Sequence, residues 1–161
     1  MEKKIPIKNY FIVVLIAILT ISLTFCLMIT YNNKEKNTLS FVSQVKENEL
    51  DSYITERQEV VIYMASSNNK NIKELEKDLK KYTEEKNLKD FYVYLDLKNV
   101  SASFYSKFYV KYLKEDYNKI FEIKEPSIII IRNGKIASYL NSINNINEVE
   151  DFFKKNEVLE W

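Results

Sequence analysis

Few residues in this chain are equipped for covalent or proton-transfer chemistry. It has no histidine and a single cysteine, Cys26. The missing histidine removes the commonest general base, the commonest metal ligand and every Ser-His or Cys-His pair. One cysteine makes neither an internal disulfide nor a Cys-rich zinc site. Carboxylates are plentiful, as in Glu84-Glu85 or the Glu148, Glu150, Asp151 group, but they sit among lysines on what read as solvated faces. The sequence is therefore expected to carry no catalytic residues, no metal site and no cofactor. Two short stretches stand out instead. Ser66-Ser67-Asn68-Asn69 is a polar turn of residue types that cap helices well. Glu125-Pro126-Ser127 sets a proline just before a strand, where its missing N–H costs no interior ladder bond and its peptide bond can be trans or cis.

The elements that must position these stretches follow from periodicity and turn chemistry. Residues 125–140 read as proline, strand, tight turn, strand, and the turn holds Gly134, the only glycine in 161 residues. Asn133-Gly134 between two apolar, β-branched runs is a strong hairpin signal, because a type I′ turn needs positive φ at both central positions. Upstream, 39–45 alternates in part like a strand, and 48–54 reads as a short helix with Asn48 as its cap. Residues 60–65 form an apolar run of buried-strand length. Residues 71–82 place Ile72, Leu75, Leu79 and Tyr82 on one helical face, with charges such as the Glu76 to Lys80 pair on the solvated remainder. A strand is expected over 91–97. Residues 101–117 then carry Phe104, Phe108 and Tyr112 four apart, with Tyr105 and Tyr109 beside them. That wide aromatic helix face is either a partner surface or one side of the core with tyrosines at its rim, and the core reading is favoured. An amphipathic helix over 146–153 closes the chain, with Ile146, Val149, Phe152 and Phe153 inward.

The N-terminal stretch has a different character. Residues 11–29 contain no charge, and at about 1.5 Å per residue a helix of that length approaches the roughly 30 Å of bilayer hydrocarbon. No small-x-small cleavage site follows, so a retained anchor is expected over a cleaved signal. The bulky Phe25 before Cys26 argues against lipid modification, and Cys26 reads as a small hydrophobe in the membrane. Lys3, Lys4 and Lys8 outweigh Lys34 and Lys36, which favours a cytoplasmic N-terminus and an extracellular C-terminal domain. The expected plan is a tail over 1–9, a transmembrane helix over 10–30, a polar tether over 31–38 and a domain over 39–161. A net charge of +1 without any basic concentration argues against a nucleic-acid partner.

Strands and helices alternate up to a terminal hairpin, which gives an α/β fold with a mixed sheet flanked by helices. At this point the chain resembles the thioredoxin-like family. The matching pieces are the buried strand 60–65 running into a polar turn and helix, Asp96 closing the next strand, and the run 120–135, in which an Ile is followed by Pro126, Ser127, an apolar strand and Asn133-Gly134-Lys135. The resemblance covers most of 39–155. It implies a cis bond before Pro126, and it implies that Glu125, Pro126 and Ser127 face Ser66, Ser67, Asn68 and Asn69 across a groove able to pair with an extended peptide.

In that family a Cys-x-x-Cys pair occupies the strand-to-helix turn, where the helix N-terminus stabilises the attacking thiolate. Here the turn has no cysteine, so thiol-disulfide exchange by this domain alone is excluded on chemical grounds. The layout is similar to membrane-anchored accessory factors of bacteriocin or peptide export in Gram-positive bacteria. The expectation is a redox-inactive, cell-envelope binding module for a peptide or envelope protein. The alternative is an accessory subunit to thiol chemistry supplied by a partner oxidoreductase.

Overall fold

A computed structural model describes residues 7–35, 41–114 and 121–158, and the chain divides into two compact units, Met1–Asn37 and Thr38–Trp161. In the first unit, α1 (Ile7–Glu35) is one continuous helix. Its Thr20 and Thr24 hydroxyls donate back to the carbonyls of Ile16 and Thr20 at 3.0 Å, as small polar residues in an apolar helix are expected to do. The large apolar side chains described there, from Ile12 to Met28, are all exposed. Among the described residues no helix is long and apolar enough to cross a membrane, so the anchor expected over 10–30 is not met there. Of the tether expected over 31–38, residues 31–35 continue α1, and 36–38 lie outside the described residues, as do 1–6 of the expected tail.

The second unit is built on a four-stranded sheet. Its elements are α2 (Glu47–Thr55), β1 (Glu59–Ala65), α3 (Lys73–Glu85), β2 (Tyr92–Asp96), α4 (Phe104–Tyr112), β3 (Ser127–Arg132), β4 (Lys135–Leu140) and α5 (Ile146–Lys155). The strands lie in the order β2-β1-β3-β4. β1 and β2 are parallel, with Ala65 opposite Asp96. β3 runs antiparallel to β1, with Met64 opposite Ser127, and β4 antiparallel to β3. The Asn133-Gly134 turn has φ of 52° and 71° at its two central residues, the positive pair that a type I′ hairpin requires.

Period-two alternation divides the sheet's side chains between two cores. Tyr63, Ala65, Ile128 and Ile130 pack with Leu75 and Leu79 of α3 and Val149 and Phe153 of α5. Ile62, Met64, Ile129 and Ile131 pack with Leu50 and Ile54 of α2 and Phe104 and Phe108 of α4. Helices therefore cover both faces of a mixed sheet, as the strand and helix order implied.

Three local expectations are corrected. Within 39–45 the described residues form no strand, only a parallel bridge between Gln44 and Tyr94. Phe41 and Val42 pack into the same core, whereas successive residues of a strand point to opposite faces, and α2 begins shortly afterwards. That helix is capped at Lys46 and not at Asn48, because the Glu49 carboxylate reaches back to the Lys46 N–H at 3.4 Å, the reciprocal half of a capping box. Glu76, expected in solvent beside Lys80, is only 4% exposed. The buried face of α3 is wider than its apolar stripe and also takes in Thr83; farther along, Lys80 pairs with Glu84 at 3.9 Å and Lys81 with Glu85 at 3.8 Å.

Candidate functional site

The two stretches singled out in the sequence meet at one end of the sheet's inner strands. Parallel pairing of β1 with β2 brings the ends of both strands together, and antiparallel pairing with β3 brings Pro126 to the same end. The peptide bond between Glu125 and Pro126 is cis. Beyond β1 the chain turns sharply: the Asn69 N–H donates to the Ser66 carbonyl at 2.9 Å, and Asn69 Oδ1 accepts the Asn71 N–H at 3.1 Å, capping a short 3₁₀ turn over Lys70–Ile72 that leads into α3.

Two carboxylates from other segments hold this turn. The Ser66 N–H donates to Glu125 Oε2 at 2.6 Å. The Ser67 N–H donates to Asp96 Oδ1 at 3.0 Å. Asp96 also accepts the Lys98 N–H at 3.0 Å and Asn99 Nδ2 at 2.8 Å, so it ties the ends of β1 and β2 together. Exposed N–H groups at a strand-to-helix turn attract negative charge, and here the chain's own carboxylates supply it. Beneath the turn, the Tyr94 hydroxyl donates to the Ala65 carbonyl at 3.0 Å. Burial, and after it the charge of Asp96, holds that hydroxyl well above the usual phenol range. Burial and then the Glu76 charge do the same to Tyr63.

The Pro126 loop is fixed from its other side by the segment after β4. The Ile143 N–H donates to the Pro126 carbonyl at 3.1 Å and the Ser142 N–H to the Lys124 carbonyl at 3.0 Å. Between these two carbonyls, the main-chain N–H and C=O of Glu125 make no hydrogen bond among the described residues. A cleft of about 540 Å³ opens here, bounded by Asn69 and the first turns of α3, by Glu125 and Pro126, and by Ser142 to Asn145. Of the expected groove residues, Asn69, Glu125 and Pro126 line the cleft, and Ser66, Ser67 and Asn68 do not.

Ser127, also expected in the groove, does not line it either. It is 0% exposed and its hydroxyl has no partner among the described residues. Alternation places it with Ile129 and Ile131 on the α2 and α4 side of the sheet, away from the cleft. The residues missed in the sequence are Glu74, Asp78 and the 142–145 segment. The first two share a helix face at i, i+4, which was legible; the third depends on a long-range pairing that was not.

The aromatic residues of α4 lie mostly in the core. Phe104, Phe108 and Tyr112 are each 3% exposed or less, so they offer no partner surface; only Tyr105 and Tyr109 keep a half-buried edge. The Tyr112 hydroxyl donates to Asp51, Lys111 pairs with Asp51 at 2.9 Å, and Tyr109 accepts the Ile123 N–H at 2.9 Å. A larger cavity of about 700 Å³ lies between α2 and α4. It touches the turn only through Asp96. The smaller cleft is taken as the candidate site because the expected residues Asn69, Glu125 and Pro126 line it. Among the described residues no group of His, Cys, Asp or Glu is arranged to hold a metal ion.

No protein-family model and no curated protein matches the sequence. Solved structures do match in fold. Thioredoxin f2 of Chlamydomonas reinhardtii superposes with a TM-score of 0.52 at 10% identity, over 74% of this chain and 99% of that one. A structure from work on thiol resolution in the yeast mitochondrial 1-Cys peroxiredoxin by glutathione/thioredoxin systems superposes with a TM-score of 0.50 at 14% identity, over 71% of this chain and 94% of the other. The second unit therefore has a thioredoxin-like fold.

Proposed function

We propose that this protein is a redox-inactive, thioredoxin-like binding module, held at the cell membrane by its N-terminal helix, that grips an extended segment of a peptide or envelope protein. The observation that carries the reading is the pairing of the Ser66 turn with the Glu125-Pro126 loop beside an open cleft, with the Glu125 main-chain groups left available. An extended peptide recognises such groups by adding its own main chain to them and placing side chains in the adjoining cleft. The only cysteine is Cys26, in α1, so the turn supplies hydrogen bonds and no thiol. The uncharged 11–29 run and the exposed apolar side chains of α1 support burial of that helix in a bilayer. An accessory role in bacteriocin or peptide export is the setting that the family resemblance suggests.

The test is an amide hydrogen-exchange footprint of the full chain in lipid bilayer discs, with and without a pool of extended synthetic peptides. Added protection is expected at Glu125 and across the 66–71 turn. Protection confined to α2 and α4, or none anywhere, would overturn the reading. A parallel insulin-reduction assay should show no activity above a buffer control.

A further inference from the structure

The outer face of α4 carries features that the fold does not use, and what they suit is a lipid surface, an inference that rests on the reading of α1 as a bilayer helix. Among the described large apolar side chains of the second unit two are exposed, Val110 at 86% and Tyr139 at 38%. Val110 is more exposed than any apolar side chain described in α1. It shares one helix face with Lys107 and Lys111, at the i, i+3 and i+4 spacing of neighbours. Residues 104–114 hold these two lysines and Lys114, and no carboxylate. Lys111 pairs with Asp51, while Lys107 and Lys114 form no ion pair among the described residues. Beside this face a row of partly exposed rings crosses from α4 to β4. Tyr105 and Tyr109 are 6.2 Å apart between centroids, Tyr109 and Phe121 5.5 Å, and Phe121 and Tyr139 4.6 Å.

We infer that this face docks on the headgroup region of an anionic bilayer, with Val110 and the ring edges entering the interface and Lys107 and Lys114 meeting lipid phosphates. Exposed apolar residues alone do not choose between lipid and protein; the lysines do. Lysine is depleted in the cores of protein interfaces, whereas lysines around shallow apolar and tyrosine side chains hold a helix at the interfacial plane of a bilayer. Each lysine near an anionic leaflet raises the docked population about fivefold. The face adds to the anchor and does not replace it: a chain already held in the bilayer meets the lipid surface at high effective concentration, so few contacts suffice.

The test uses the full chain in bilayer discs of phosphatidylcholine, alone or mixed with phosphatidylglycerol. Cys26→Ser leaves a single thiol for an environment-sensitive fluorophore, placed through Ser106→Cys on the α4 face or through Asp151→Cys on α5, which covers the other face of the sheet. In the mixed discs emission from position 106 should shift to the blue and be quenched by nitroxide-labelled lipid, and raised salt should reverse both. Position 151 should show neither. Lys107→Gln with Lys114→Gln should lower the docked population about tenfold or more, and Val110→Asp should abolish the shift. These residues are exposed, so the urea midpoint should stay in place. Equal quenching at 106 and 151, no quenching at either, or a signal at 106 indifferent to lipid charge or to the two lysines would overturn the docking face and leave the anchor standing. Failure of the full chain to enter the discs would overturn both readings.

Discussion

At the scale of single residues, two carboxylates hold the turn that follows β1. Glu125 spans from the Pro126 loop to the Ser66 N–H at 2.6 Å, so Glu125→Ala removes the side-chain hydrogen bond that joins the loop to the turn. Glu125 is exposed and water replaces part of the bond; the expected loss is about 1 kcal/mol of stability. Urea denaturation measures the loss, and amide exchange should show protection falling at Ser66 while Ser67, held by Asp96, keeps its own. Asp51 gives a pH prediction. Hydrogen bonds from Tyr112 and then Lys111 hold its carboxyl below the usual carboxylate range. A carboxyl lowered in the folded state binds its proton more tightly unfolded, so its contribution is complete above the unfolded value of about 3.9 and disappears as pH falls through the folded one. Wild type should therefore lose stability on acidification more steeply than Asp51→Asn, and the two curves should converge at the acid end. Parallel acid limbs for the two proteins would show that the Tyr112 and Lys111 contacts contribute nothing.

At the scale of elements, the hairpin was the most legible part of the sequence because its signal is local. Asn133 and Gly134 adopt φ of 52° and 71°, and a Cβ added at Gly134 would meet nothing within 4 Å. Gly134→Ala therefore meets only backbone strain, a cost of roughly 1 kcal/mol with no packing defect, which a shift of the urea midpoint without a change in slope would register. Leu79→Ala, at a residue 0% exposed between α3 and the sheet, should cost about 2–5 kcal/mol by the same measurement. Legibility failed where a residue's fate is set by a distant partner. Ser127 read as a groove residue from its place beside Pro126, yet strand alternation turned it into the core. Asn48 is a good capping type, but Glu49 reaching back to Lys46 starts the helix earlier. Glu76 carries a charge on a charged helix, and only the width of the face packed against Tyr63 and Tyr94 decides that it is buried. The 142–145 side of the cleft could not be read at all, because it exists through the bonds of Ser142 and Ile143 to the Pro126 loop.

At the scale of the whole molecule, the second unit brings a strand-to-helix turn, a proline loop and a third segment to one end of the sheet, and none of these segments contains a cysteine. The second unit, Thr38–Trp161, holds both cores and all four strands, so a chain cut before Thr38 should show one cooperative thermal transition, whereas the full chain should partition with membranes and the cut chain should not. The central claim, that the cleft bounded by α3, the Pro126 loop and 142–145, beside the Ser66 turn, is the binding site, is tested most directly by photo-crosslinking in living cells, with the label placed in turn at Ser67, Asn71, Tyr105 and Lys107. The account predicts that Ser67 and Asn71 capture the same peptide or envelope protein and that Lys107, at the cavity between α2 and α4, captures none of it. Capture of that partner from Tyr105 or Lys107 without Ser67 and Asn71 would contradict it.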